Sequence, residues 1–461
     1  MAFFDKKFIS GDGEAIQKAL AAGHGTDSAQ FTGGRALIPE DCEQETLNAL
    51  ELSKDDCKIM ASIKTQKVGS TVHEKNVRSG VGNYKHLTVS EGDESPVETD
   101  QDINRKTFEM KYLQTERGVT EQMIRAETFE GALASEKLAG IDLLIQGCEY
   151  LCFHGDSRVV PTEFDSFETQ IRKAPAREQN IIDLRGKSVG TYGEALFDDI
   201  SDMTYRKGGF LDKAMFPPVL AKDIKELFSD RIRFMVGDKT GALQQLPDYP
   251  TAIGATIRFT GNAGADKFYE VKGPVAASGD ASRRPAAPAS VAAEIVSSAA
   301  GSKFLAADAG DYTYTVHAVN KYGVSAGVSI SAAIAVAAGE GVKLTITPGS
   351  GNAATGFIIC RSKAGGTDVM EMDRCGVGNN STTEYIDLNG ELPGTASMLF
   401  LTENKMQSIY KFGQLMPVST IPLGRLGAKE RFLVATYGAL ELYVPKFCGL
   451  VKGISYKGGL Y

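Results

Sequence analysis

The clearest hydrophobic pattern in the chain predicts one long amphipathic helix between residues 128 and 156. Apolar side chains recur there at alternating spacings of four and three residues, which places them in a single stripe on a helix. The stripe consists of Ala134, Leu138, Ile141, Ile145, Cys148 and Cys152. Thr128 can cap the start of the helix and Gly155 can close its end. A helix over residues 132–153 would be about 33 Å long, which is unusual in a globular domain.

Two glycines interrupt a second face of the same predicted helix. Gly140 and Gly147 are seven residues apart, and each lowers helix stability by about 1 kcal/mol relative to alanine. A cost repeated at this spacing suggests close packing, so we expect a strand to lie against both positions.

Residues 68–120 predict two extended strands joined by a long polar tip. Residues 107–113 alternate, with Phe108, Met110 and Tyr112 on one side. The tip carries six carboxylates, Glu91, Asp93, Glu94, Glu98, Asp100 and Asp102. Their spacing is not that of a calcium-binding loop. Because such a hairpin has no core of its own, we expect its tip to face solvent or a partner.

The first residues form a glycine-rich arm, with a short helical piece near 14–22 and a second helical stretch at 39–63. Such an arm buries little surface by itself, so an ordered arm is expected to lie against other subunits. After the long helix, helices at 192–205 and 220–228 mix with strands at 213–218 and 232–236. No regular βαβ pattern appears, which predicts an α+β fold.

The composition changes at residue 271. Residues 273–289 are a Pro/Ala/Gly/Ser linker, and about seven short alternating strands follow, near 291–295, 312–318, 328–336, 342–346, 357–360, 369–372 and 384–388. This number is typical of an immunoglobulin-like or fibronectin-like sandwich. From residue 397 the composition of the first 270 residues returns, with closing strands at 432–436, 440–444 and 450–456. We therefore expect the sandwich to be inserted into a host domain.

Composition limits the classes of function. A chain of 461 residues predicts two to four structural units, and 42% hydrophobic with 23% charged residues is typical of a soluble globular protein. No apolar run approaches the roughly 20 residues of a membrane span, and the N-terminus shows no signal region. We expect the chain to stay in a cytoplasm. The net charge of −8 argues against general nucleic-acid binding.

No catalytic, cofactor-binding or metal-ligating residues are predicted. The seven cysteines form no CxxC pair and are expected to be reduced and mostly buried. Only His73 beside Glu74, and His154 near Asp156, place a histidine next to a carboxylate; the second pair, at a helix end, is more typical of capping than of catalysis. No nucleophile elbow, zinc-protease motif or phosphate loop occurs, so the chain is not expected to be an enzyme.

Three parts of the chain carry a resemblance to a known family: NRKTFEMKYL (104–113), FHGD (153–156) with FDSF (164–167), and TYGALELYVPKFCGLVKGI (436–454). Together with the order of the predicted elements, they resemble the major capsid proteins of tailed bacteriophages, which have the Hong Kong 97-like fold. The resemblance is greatest to capsid proteins of contractile-tailed phages (myoviruses) with an inserted immunoglobulin-like domain. The family tends to have a glycine where this chain has Ser166.

The resemblance implies six segments: an N-terminal arm (1–67), an extended E-loop (68–118), a peripheral domain with a spine helix (119–189), an axial domain (190–272), the inserted domain (273–396), and a return to the axial and peripheral domains (397–461). It also implies self-assembly through hexamers and pentamers into an icosahedral head shell. That shell would enclose double-stranded DNA without reading its sequence. Scaffolding, portal and decoration proteins would be candidate partners, no membrane would be involved, and assembly would occur in the host cytoplasm.

Two alternatives stay open at this point. Some relatives crosslink their subunits through a Lys–Asn isopeptide bond, and Lys67, Lys75 and Lys85 lie in the corresponding region, although ordinary surface lysines are the favoured interpretation. An adhesin or glycan-binding surface protein, built on the immunoglobulin-like domain, is the alternative function. The insertion itself is expected to reinforce the shell rather than to bind glycans.

Overall fold

The computed structural model describes residues 56–82, 90–92, 100–126, 131–228, 248–259, 268–269, 271–378, 382–402, 409–425 and 427–461, with the backbone of strands at 234–236 and 242–244. The predictions for residues 1–55, for tip residues 93–99 and for Thr128 therefore lie outside the described residues. In the described part of the chain, no helix is long and apolar enough to cross a membrane.

The described helices are α1 (Lys58–Ser62), α2 (Glu121–Arg125), α3 (Ala132–His154), α4 (Phe167–Lys173), α5 (Val189–Tyr192), α6 (Ala195–Arg206) and α7 (Ala221–Leu227). Short 3₁₀ turns occupy Ala176–Glu178, Pro218–Leu220, Ala306–Asp308 and Pro445–Phe447. The helix predicted at 192–205 begins later, at Ala195, because Gly193 takes a positive φ of 81° and ends the separate turn α5.

The first ten strands are β1 (Thr65–Lys67), β2 (Val72–Gly80), β3 (Asp102–Glu109), β4 (Lys111–Thr120), β5 (Ile181–Asp183), β6 (Lys213–Met215), β7 (Phe234–Val236), β8 (Ala242–Gln244), β9 (Tyr249–Pro250) and β10 (Thr256–Phe259). The alternation predicted over 107–113 is divided between two strands. Met110, which is buried, lies at the break between β3 and β4.

The next eleven strands are β11 (Ser278–Gly279), β12 (Ser290–Val296), β13 (Gly310–Tyr312), β14 (Tyr314–Asn320), β15 (Gly323–Val324), β16 (Val328–Ser329), β17 (Ile334–Val336), β18 (Gly341–Thr347), β19 (Gly356–Ser362), β20 (Val369–Gly376) and β21 (Thr383–Asp387). We call residues 278–387 the β-rich unit. Every strand predicted in this region is present, although the one at 328–336 is two short strands.

The β-rich unit has a hydrophobic core of its own. Its larger sheet has the order β11-β15-β14-β19-β20, and a second sheet has the order β12-β18-β21. Alternate residues of these strands meet in one cluster, which includes Tyr314, Val316, Leu344, Phe357 and Ile359. The unit is therefore a folded body and not an extended loop.

The chain ends with β22 (Ala396–Leu401), β23 (Tyr410–Pro422), β24 (Lys429–Leu442) and β25 (Gly449–Ile454). The prediction of separate strands at 432–436 and 440–444 is wrong, because β24 runs through both. It pairs with β4 without a break from Lys429 opposite Thr120 to Gly438 opposite Lys111.

The body of the molecule, meaning the described residues outside the β-rich unit and the β2–β3 hairpin, is built on two sheets. The first has the order β1-β23-β24-β4, and the second has the order β5-β25-β22-β6-β10-β9. In the second sheet β22 pairs with β6, and β25 pairs with β5. Strands from both sides of the β-rich unit thus share one sheet. The mixture of helices with these sheets confirms the α+β class.

Helix α3 confirms the long helix predicted from the sequence, but only its C-terminal half follows the predicted stripe. Cys148 and Cys152 are buried, whereas Ala134 and Leu138 are exposed. The N-terminal half instead lies against β4 and β24 and buries Leu144 and Gly140. The stripe prediction is therefore wrong at its first positions.

The two glycines of α3 behave differently. A Cβ added at Gly140 would lie 2.9 Å from Val434 Cγ2 of β24, so the predicted close approach of a strand is confirmed there. A Cβ at Gly147 would meet nothing within 4 Å. The prediction that a strand also packs at Gly147 is wrong.

The turn between α3 and α4 requires a glycine at one position and a capping side chain at another. A Cβ on Gly155 would lie 2.1 Å from the Phe164 carbonyl oxygen, so only glycine fits at this helix end. Ser166, where the family tends to have glycine, caps α4, and its Oγ accepts a hydrogen bond from the Thr169 amide at 3.2 Å.

Candidate assembly surface

The β2–β3 hairpin presents mostly exposed side chains on both of its faces. The strands pair from Val72 opposite Glu109 to Gly80 opposite Asp102. Ile103 is 48% exposed, although an isoleucine in a strand is normally buried. Nine residues of strand reach about 30 Å. The hairpin therefore extends far from its base without a hydrophobic core.

The base of the hairpin is fixed to the body by a buried carboxylate. Glu441 of β24 is fully buried, and its Oε1 lies 2.8 Å from His73 Nδ1. Its Oε2 accepts a hydrogen bond of 2.5 Å from the Tyr443 hydroxyl. Burial, together with this hydrogen bond, raises the pKa of Tyr443. The Phe108 ring packs edge-on against Tyr443, with ring centres 5.7 Å apart.

The sequence pattern around His73 does not reveal this anchor. The adjacent Glu74, the carboxylate next to His73 in the sequence, pairs instead with Arg105 across the hairpin at 3.1 Å. Glu441 follows 368 residues after His73 in the chain, so no local spacing could have connected the two.

A groove of about 490 Å³ lies beside the base of the hairpin. Its lining combines apolar side chains with a charged rim in which four cations outnumber two carboxylates. The apolar side chains include Phe108, Phe164, Ala439, Leu440 and Leu442, the basic ones are Arg105, Lys106, Lys111 and Lys173, and the acidic ones are Glu109 and Asp165. An apolar floor with charges at the rim is the usual composition of a surface that binds another polypeptide.

Lys106 is the least satisfied cation of this rim. Lys111 and Lys173 each have a carboxylate oxygen at 2.6 Å, whereas the nearest carboxylate to Lys106, that of Glu178, is 3.8 Å away. Partial burial lowers the pKa of Lys106 despite that carboxylate. A further carboxylate in the groove would therefore stabilise its charged form.

The histidine–carboxylate pair considered at the end of α3 does not form a dyad. His154 Nε2 lies 2.8 Å from the Phe268 carbonyl oxygen. Asp156 instead pairs with Arg158, at 2.7 Å. Among the residues that the structure describes, no group of three or more His, Cys, Asp or Glu side chains could hold a metal ion.

Six cysteines are described, and all are free thiols; Cys57, Cys148, Cys152, Cys360 and Cys448 are buried and Cys375 is half-buried. Burial raises the pKa of Cys148, Cys360, Cys375 and Cys448 to about 12. These four thiols remain protonated and unreactive near neutral pH.

The lysines considered for crosslinking lie close to the hairpin. Lys67 ends β1, and Lys75 of β2 places its ammonium group 5.7 Å from the centre of the Tyr443 ring. Lys85 lies outside the described residues. The structure gives Lys75 the role of covering an aromatic ring at the base of the hairpin.

Comparison of sequences finds phage capsid proteins. The protein assigned as major capsid protein in Enterococcus phage phiEF24C is 24% identical over 466 residues, and the match covers 96% of this chain and 95% of that protein. The major capsid protein of Staphylococcus phage K is 35% identical over 77 residues, 17% of this chain and 16% of that one. No family model matches the chain.

Comparison of structures finds chains from a capsid, an encapsulin complex and a phage, all at low sequence identity. The capsid of the native GTA particle is 9% identical with a TM-score of 0.46, and the match covers 94% of this chain and 100% of that one. The chain of the holo-SrpI encapsulin complex from Synechococcus elongatus is 7% identical with a TM-score of 0.44, at 93% and 96% coverage. A chain of the Mycobacterium phage Bobi structure is 11% identical with a TM-score of 0.43, at 91% and 97% coverage.

The described residues follow the element order predicted from the Hong Kong 97-like fold: a polar hairpin, a long helix, a mixed α+β region and closing strands. The relative from phiEF24C matches along nearly the whole chain, on both sides of the β-rich unit as well as through it. These relatives do not support the alternative of an adhesin. The resemblance predicted from the sequence is therefore confirmed: along nearly its whole length this chain is similar to a phage major capsid protein.

Proposed function

We propose that this chain is the structural subunit of a phage head shell and that its hairpin joins neighbouring subunits. The observation that carries the proposal is the β2–β3 hairpin, which is exposed on both faces and fixed only at its base. An ordered segment without a core gains its buried surface from another molecule. In a shell, that molecule is the next copy of the same chain.

The groove at the base of the hairpin is the proposed acceptor for the tip of a neighbour. The tip sequence 91–102 carries six carboxylates, and the rim of the groove has more cations than carboxylates, with Lys106 only weakly paired. Only four residues of β3, or about 13 Å of strand, separate Lys106 from Asp102, where the pairing of the two strands ends. We propose that the opposite charges meet between two copies of the chain.

We also propose the segment assignments that the family suggests. Residues 68–118 would be the E-loop, residues 119–189 the peripheral domain with α3 as its spine, and residues 190–272 with part of 397–461 the axial domain. The β-rich unit would be a domain inserted into this host. The support is the sheet shared by β5, β6, β22 and β25, whose strands come from both sides of the unit.

The finer features of assembly belong to the same proposal. Hexamers and pentamers would close an icosahedral shell around double-stranded DNA, with scaffolding, portal and decoration proteins as partners and assembly in the host cytoplasm. The net charge of −8 supports a container whose wall does not bind the packed DNA. A structural role requires no catalytic residue.

Charge reversal tests the proposed contact. Lys106→Glu, or the pair Glu91→Lys and Asp100→Lys, should lower the yield of particles at least tenfold, because each places like charges together between subunits. Combining the two sets should restore assembly. Particle yield would be measured by sedimentation and negative-stain electron microscopy, with any scaffolding protein co-expressed.

The control is Lys343→Glu, which changes the net charge equally at the Lys343–Glu384 pair of the β-rich unit. Deleting residues 77–102 should abolish particles while circular dichroism of the chain shows a folded body. Normal particles from the deletion would refute the role of the hairpin. Normal particles from Lys106→Glu alone would refute the groove as its acceptor.

A further inference from the structure

A cluster of charges lies where the chain enters and leaves the β-rich unit, and it centres on the segment that follows β21. Glu391 lies in this segment, and only 14% of its side chain is exposed. Three cations from separate parts of the body surround its carboxylate: Arg172 of α4, Lys272 before the unit, and Lys452 of β25. The N–O distances are 2.5, 2.9 and 2.6 Å respectively.

The cluster holds both ends of the unit at once. Lys272 precedes the unit in the chain and also donates a hydrogen bond of 2.7 Å to the Met372 carbonyl of β20. Glu391 follows the unit. One carboxylate therefore joins the entering segment, the leaving segment, helix α4 and the last strand of the body.

A second contact beside this cluster uses strained backbone. Arg185 of the body and Asn389 have φ values of 52° and 56°, and are two of the three described non-glycine residues with positive φ. Arg185 donates hydrogen bonds of 2.8 Å to the Asn389 and Lys303 carbonyl oxygens. Backbone in this region is unfavourable for side-chain-bearing residues, so the surrounding contacts must enforce it.

Glycines set the distance between the unit and the body on another side. A Cβ on Gly376 of β20 would lie 2.3 Å from the Arg158 carbonyl oxygen. A Cβ on Gly356 of β19 would lie 2.6 Å from Val159 Cγ1. The unit rests directly on the loop after α3, and any side chain at these two positions would push it away.

We infer that Glu391 is the centre of an ionic lock that fixes the orientation of the β-rich unit on the body. Each of the two parts has its own hydrophobic core, so the lock sets their relative position and not their folding. A unit held in this way acts as a rigid part of the subunit. An appendage on flexible linkers would not need three separate elements to converge on the carboxylate of a fourth.

The ion pairs around Glu391 persist over a wide pH range. Although burial opposes it, the surrounding cations hold the pKa of Glu391 well below its usual range. A carboxylate with a lowered pKa keeps its stabilising charge above its ordinary pKa and loses it only as the pH falls through the lowered value. Shielding from solvent also limits screening by salt.

Distance measurements between the two parts test the lock. In a Cys42→Ser background, spin labels would be placed at Lys321→Cys in the β-rich unit and at Lys222→Cys in α7, both exposed positions. The parent protein should give one narrow distance distribution. Glu391→Gln should at least double its width, because the three cations lose their shared anion. Lys272→Gln should widen it by less.

Glu384→Gln is the matched control, since it breaks the exposed Lys343–Glu384 pair within the unit and should leave the distribution unchanged. Near-ultraviolet circular dichroism would show whether the unit remains folded. A distribution for Glu391→Gln as narrow as that of the parent would overturn the lock. So would unfolding of the unit in both Glu391→Gln and Lys272→Gln, because the cluster would then support folding and not orientation.

Discussion

The β2–β3 hairpin and the β-rich unit both lie outside the two sheets of the body, and they become ordered by opposite means. The hairpin is exposed on both faces and touches the body only at its base. The β-rich unit buries its own core and meets the body through the Arg185–Asp308 ion pair, the Lys272–Met372 hydrogen bond and close-packed glycines. Within a single chain the hairpin has no hydrophobic core, whereas the β-rich unit has one.

This difference teaches which part of the chain depends on its neighbours. Ordering a residue costs about 1–2 kcal/mol of backbone entropy, which burial of apolar surface must offset. The unit supplies that burial internally. In the proposed shell the hairpin obtains it from another subunit, so loss of the hairpin should affect assembly while loss of core side chains in the unit should affect folding.

The largest expected difference in stability is between truncating a side chain in the β-rich unit and truncating one in the hairpin. Phe357→Ala removes a fully buried ring from the unit and should lower the free energy of unfolding of that unit by about 3–5 kcal/mol. Ile103→Ala, at a position 48% exposed in the hairpin, should change the unassembled chain by less than about 0.5 kcal/mol. Denaturant unfolding measures both. Similar losses from the two variants would mean that the hairpin has a core after all.

A second prediction concerns the support beneath the hairpin, where β4 continues from β3 and packs on α3. Gly140→Leu should destabilise the chain by about 1–3 kcal/mol, because its side chain would collide with Val434 and Arg117. Gly147→Leu faces open space and should be neutral or stabilise the helix by up to about 1 kcal/mol. Thermal unfolding of the two variants in parallel measures the difference in stability. Equal destabilisation by Gly140→Leu and Gly147→Leu would contradict the different surroundings of the two glycines.

The smallest effect is a pH dependence where the unit meets the body. Burial raises the pKa of Glu163 to about 7, although Arg374 of the unit opposes the shift. The folded chain therefore binds an extra proton between the ordinary carboxyl pKa and pH 7. Its stability falls as the pH rises through that window.

Glu163→Gln removes this penalty. It should raise the free energy of unfolding by about 1–2 kcal/mol at pH 8 and leave it nearly unchanged at pH 4. Melting temperatures at the two pH values measure the difference. A stabilisation of equal size at both would show that Glu163 does not titrate in this range.

The sequence predicted the parts of the molecule that depend on local periodicity. Alternation placed the strands of the β-rich unit, and the 3.6-residue period placed α3. Both patterns arise when an element faces a single core. The exposed Leu138 shows the limit of this reasoning, because the apolar stripe of α3 continues past the point where the core ends.

Contacts between distant residues could not be predicted in this way. The anchor between His73 and Glu441 and the lock around Glu391 join segments far apart in the chain, and each partner alone resembles an ordinary surface charge. Gly140 and Gly147 are indistinguishable in sequence, and only the position of Val434 separates their roles. β24 was predicted as two strands because its continuity depends on pairing with β4.

The central claim is that the hairpin gains its buried surface from a neighbouring subunit. An electron cryo-microscopy map of assembled particles tests it most directly. The account predicts density for residues 91–102 of one subunit in the groove beside Lys106 of the next, with carboxylates within hydrogen-bonding distance of its ammonium group. A shell in which the hairpin touches only its own subunit, or in which the groove holds no part of a neighbour, would contradict the account.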